Sequence, residues 1–199
     1  MKHRVTGCAV LALLLAASTP ALAGGDPPTG PTQVIVKIDG LSDKATEAKI
    51  VAEIKKIEGV SDCACQKGTV VVGVGEEKTF KLAALKNVLK DFSSDEAALT
   101  VDETSVALKG TVEVEIAGMD LAGRGADWAA TLKGLKDVQN VEPVKDAENK
   151  FKLTIGGSKG VTLNDLNAAL AKLSDTEKGP SVADVVWFGP PKKDKPAKG

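Results

Sequence analysis

VIVKIDGL (residues 34–41) and VEVEIAGM (residues 112–119) are one pattern written twice, 78 residues apart. Val34, Val36 and Ile38 fall over Val112, Val114 and Ile116, with other residues between them. An apolar period of two is the mark of a strand with one buried face. Both segments then reach a glycine, Gly40 and Gly118. Working outward at the same offset, Ile50, Ile54, Ile57 and Val60 meet Trp128, Leu132, Leu135 and Val138. The later copy then takes three extra residues. Beyond them Val70, Val72 and Val74 meet Phe151, Leu153 and Ile155, and Leu82, Leu85 and Leu89 meet Leu163, Leu166 and Leu170. The pattern reads as a tandem duplication.

Each copy carries the same run of signals. After the first strand, Ile50, Ile54 and Ile57 lie at helical spacing, with Lys49, Glu53, Lys55 and Lys56 off that face. Asp43 is placed to cap this helix, and Gly59-Val60 ends it and opens a second strand. TVVVGV (69–74) reads as a third strand and FKLAALKNVLKDF (80–92) as a second helix; AALTV (97–101) and VADVVWF (182–188) close the two copies as fourth strands. The expected class is α+β, with two tandem ferredoxin-like βαββαβ domains over 33–104 and 111–188. Each would have a four-stranded antiparallel sheet with two helices on one face.

The ends read differently. Met1–Arg4 is cationic, Cys8–Ala17 is apolar, and ALA at 21–23 is a small-x-small cleavage site, so residues 1–23 read as an export signal cut near Ala23. The apolar run is shorter than the roughly 20 residues of a membrane span. Residues 24–32 read as a Gly/Pro-rich disordered linker and 189–199 as a disordered basic tail. Cleavage would remove His3, the sole histidine, and Cys8. It would also take Lys2 and Arg4 from the 26 basic residues, leaving 24 against 27 acidic ones, a net charge of −3. Such a chain has no electrostatic footprint for nucleic acid. Without histidine it lacks the commonest acid–base group, and no enzyme activity is expected.

The residues resemble the heavy-metal-associated domain, whose pattern is a strand ending in Gly-Met, then x-Cys-x-x-Cys, then a helix ending in Gly-Val. VEIAGM (114–119) reproduces the strand end, and VKIDGL (36–41) does so with Leu41 for methionine. The family's second cysteine stands 14 residues before the valine of Gly-Val, a spacing kept from Thr46 to Val60 and from Arg124 to Val138. The resemblance implies the ferredoxin-like fold and soft-metal binding, copper(I) among the ions. The loop cysteines themselves are replaced, by Asp43 and Thr46 in one copy and Leu121 and Arg124 in the other. Neither pair suits a soft ion.

Cys63 and Cys65 are the remaining thiols, at second-strand positions matching Val141 and Pro143. Residues i and i+2 of a strand face one way, with Cβ atoms about 7 Å apart. That exceeds the roughly 3.5–4.5 Å of a disulfide. A metal with bonds near 2.3 Å can bridge sulfurs about 4.6 Å apart. Three readings stay open: cysteines packed as small hydrophobes, a disulfide within or between chains, and ligation of a metal by Cys63 and Cys65. A strand starting only at Gly68-Thr69 would leave the cysteines in a loop and ease the last two. Met119 is a further thioether, read as core. VGVGEE (72–77) and IGGSKG (155–160) complete no phosphate-binding fingerprint and read as turns. Trp128 and Trp187 read as packing residues. Two functions follow: an exported soft-metal-binding protein, or a metal-free repeat that meets a protein partner in the cell envelope.

Overall fold

A computed structural model describes residues 28, 30, 32–93, 98–118, 125–157, 159–173 and 179–192. The export signal, most of the linker and tail, and Met119, Leu121 and Arg124 lie outside the described residues. The elements run β1 (Gln33–Asp39), α1 (Lys44–Ile54), β2 (Val60–Gln66), β3 (Thr69–Val74), β4 (Thr79–Lys81), α2 (Leu82–Phe92) and β5 (Thr100–Ala117). They continue with α3 (Gly125–Lys133), β6 (Val138–Val144), β7 (Ala147–Ile155), β8 (Val161–Thr162), α4 (Leu163–Ala171) and β9 (Ser181–Phe188).

Alternation sets the core face of the sheet. Val34, Val36 and Ile38 of β1 and Val112, Val114 and Ile116 of β5 are all buried, as are Ile50 and Ile54 of α1 and Leu82, Leu85 and Leu89 of α2. Burying one such aliphatic side chain is worth about 1.5–3 kcal/mol, and these short helices draw their stability from that packing. Asp43 caps α1 as expected, its Oδ2 accepting the Thr46 backbone N–H at 2.8 Å.

The strand order is ferredoxin-like. Strands β1, β2, β3 and β5 are arranged β5–β1–β3–β2, and beyond them lies β9–β5–β7–β6, every pairing antiparallel. The joint between them is one strand. Residues 100–109 of β5 pair with β1, and 110–117 pair with β7 and β9. Residues 105–110, which fall between the two expected domains, therefore belong to a sheet. Gly110, at φ +88°, sits where the partners change, a conformation glycine adopts without a Cβ penalty. Two short strands add a reciprocal exchange. β4, just before α2, pairs with β9, while β8, just before α4, pairs with β5 at Ala107 and Leu108. The result is one nine-stranded sheet, with α1 against α2 and α3 against α4.

β2 and β6 are the outer strands. Pro143 of β6 has no N–H to offer, which an edge tolerates. On β2, Asp62 accepts the Cys63 backbone N–H at 2.8 Å and pairs with Lys55 at 2.9 Å. Charge on an edge discourages strand addition by another chain.

Candidate metal centre

The loop that the family resemblance singles out is occupied by a helix cap. Asp43 Oδ2 accepts both the backbone N–H and the hydroxyl of Thr46, each at 2.8 Å. Those bonds hold the Asp43 carboxyl below its ordinary pKa, the Thr46 hydroxyl being the largest cause. The carboxylate there serves the first turn of α1. The corresponding Leu121 and Arg124 lie outside the described residues.

The thiols are on β2, which begins at Val60, so Cys63 and Cys65 stand within a strand and not in a loop. They pair with Val72 and Val70 of β3 and share the core face, under α1. Both are reduced and 0% exposed; Ala64, on the opposite face, is also buried. Burial pushes the Cys63 thiol up to about 12, with Cys65 and Asp62 adding to the rise and Lys55 opposing it. Burial likewise pushes Cys65 up to about 11, with Glu47 adding and the Gly68 N–H opposing. Neither is a thiolate at neutral pH, and the thiolate is the metal ligand.

Glu47 is the residue that motif reasoning missed. It lies in the first turn of α1, is only 5% exposed, and its Oε1 accepts the Gly68 N–H at 2.9 Å. That bond ties α1 to the β2–β3 turn beside Cys65. The signal was in the periodicity: Glu47 stands three, four and seven residues before Ile50, Val51 and Ile54, on the helix's buried face.

Among the described residues no group of three or more His, Cys, Asp or Glu side chains is disposed to hold a metal ion. Cys63 and Cys65 are thus a pair of soft donors without a third such partner among the described residues, and a pair of thiols suits only a soft ion of low coordination number. Trp128 and Trp187 are buried in the core, Trp187 with its ring centroid 5.9 Å from that of Phe80. The glycine-rich segment after β3 is a turn, as expected, with Lys78 N–H donating to Gly75 O at 3.1 Å, while Ser158 of the segment after β7 lies outside the described residues. Among the described residues no helix is long and apolar enough to cross a membrane.

No protein-family model matches the chain, and no curated protein matches it in sequence. Among solved structures it is similar to the water-soluble region of the P-type ATPase CopA from Bacillus subtilis, at 19% identity. The alignment covers 76% of this chain and 90% of that one, with a TM-score of 0.32. A solution structure of the N-terminal soluble domains of Bacillus subtilis CopA is similar at the same identity and TM-score, covering 76% of this chain and 92% of that one.

Proposed function

We propose that this chain is an exported, non-catalytic protein that binds a soft metal ion, with Cys63 and Cys65 as its ligands and copper(I) the ion that suits two thiolates. The observation carrying this reading is the placement of two reduced thiols side by side on one face of an edge strand, beneath a single eleven-residue helix. Binding has to displace both protons. The pKa rises from 9.0 to about 12 and about 11 oppose this by roughly 7 kcal/mol in all. The penalty shrinks if α1 lifts from β2 and lets water reach the sulfurs. Capture of the ion is accordingly coupled to opening of α1, and affinity rises with pH.

A second reading is favoured by one observation, the complete burial of both thiols. In it Cys63 and Cys65 pack as small hydrophobes, and the repeat serves as a metal-free module that meets a protein partner in the envelope.

Anaerobic copper(I) titration under a competing chelator separates the two readings, with Cys63→Ala/Cys65→Ala run beside the parent chain. One ion per chain, lost in the double variant and tightening with pH, is the expected result. Equal uptake by parent and variant defeats the metal reading and leaves the module.

A further inference from the structure

Two grooves lie at equivalent places in the repeat and differ in charge, the first balanced and the second with one cation in excess. The first, about 390 Å³, is lined by Ile57, Glu58, Glu77, Lys78, Thr79 and Lys81, with Ala84. The second, about 400 Å³, is formed by the end of α3 and the flank of α4, around Leu135, Lys136, Asp137, Lys159, Asp165 and Lys172. Their equivalence is structural as well as sequential. Val60 N–H donates to Ile57 O and Val138 N–H to Leu135 O, each at 3.2 Å; Gly75 N–H donates to Gly59 O at 2.9 Å and Gly156 N–H to Asp137 O at 2.8 Å.

In the first groove Glu58 and Lys78 face each other as an ion pair at 4.0 Å. The same two positions in the second groove hold Lys136 and Lys159. Lys172 joins them where the first copy has Asp91. Among the described residues none of these three lysines is ion-paired. Two carboxylates, Asp137 and Asp165, share the groove with the three lysines. Asp165 Oδ2 accepts the Thr162 hydroxyl at 2.7 Å and the Thr162 N–H at 3.0 Å, closing the α4 capping box. The Asp137 carboxyl lies against Gly157, where a Cβ would come within 2.6 Å of its Cγ. The exchange has replaced an ion pair by two lysines that line one concavity together with Lys172, leaving a surplus of cations that raises the local concentration of anions.

We propose that the groove of Lys136, Lys159 and Lys172 is a binding site for a compact, multiply charged oxyanion of the phosphate class. This holds whether or not Cys63 and Cys65 take a metal. Full-length chain is titrated with inorganic phosphate and, separately, with O-phosphoserine, at constant ionic strength in chloride, while backbone amide shifts are followed by NMR. Saturable shifts at Lys136, Lys159 and Lys172 are expected, the tighter ligand telling a free anion from one carried on a partner. Lys136→Glu restores the charge pair of the first groove and is expected to weaken binding about tenfold or more. Lys159→Gln, which removes one cation without adding an anion, is expected to weaken it less. Absence of saturable shifts with both probes, or binding that both variants leave unchanged, overturns the proposal.

Discussion

A thiol that ionises less readily in the folded chain than in the unfolded one is a store of pH-dependent stability. Cys63 and Cys65 are both such groups, at about 12 and about 11 against 9.0. Folded protein keeps protons that the unfolded chain releases above pH 9. Their contribution is therefore complete below pH 9 and disappears as pH climbs through 11 and then 12. Urea unfolding at pH 8, 9 and 10.5 should show parent stability falling faster than that of Cys63→Ala/Cys65→Ala. The excess should approach about 1.4 kcal/mol per thiol per pH unit, and parallel curves would contradict it. Serine at the same positions buries an unpartnered hydroxyl and should cost about 1–3 kcal/mol even at neutral pH. Glu47→Leu keeps the apolar packing of α1 but strips the Gly68 N–H of its acceptor, for a loss of about 1–3 kcal/mol by the same assay.

Among the elements, the short ones carry the most specific consequences. Thr162 both ends β8 and caps α4, its hydroxyl accepting the Asp165 N–H at 3.1 Å. Thr162→Ala should therefore lower the unfolding free energy by about 1 kcal/mol. Gly160 stands just before, at φ +69°, where an added Cβ would come 2.3 Å from Leu108 O. Gly160→Ala should cost on the order of 2–3 kcal/mol, since strain adds to the displacement of β8 from β5. Sequence pattern was a good guide to the long elements and a poor one to these. Val34-Val36-Ile38 and Ile50-Ile54 announce a strand and a helix because each element buries one face. Thr79–Lys81 and Val161–Thr162 are too short to show a period, and FKLAALKNVLKDF reads as helix from Phe80, although the helix begins at Leu82. The union of two strands into β5 was hidden by Gly110, which looks like a break and acts as a change of partner. For the candidate site, spacing placed both thiols on one face; their depth was hidden because it depends on α1 lying across an edge strand.

The whole molecule is interlocked by those same short strands. Phe80 of β4 packs its ring against Trp187 of β9, and β8 pairs with residues 107–108 of β5. Unfolding should be a single event. Trp128 fluorescence reports on the later half of the chain, Trp187 on its contact with Phe80, and far-UV circular dichroism on the whole sheet, so the urea midpoints should coincide. Phe80→Ala, made in the first half of the chain, should shift the midpoints together by the equivalent of about 3–5 kcal/mol. Separated midpoints would mean that the halves melt independently. The described body also begins where it finishes: the Thr32 hydroxyl donates to Phe188 O at 3.0 Å. The two ends of the described body therefore share one corner. Joining the two ends by a short loop and cutting the chain elsewhere would leave every strand with its neighbours.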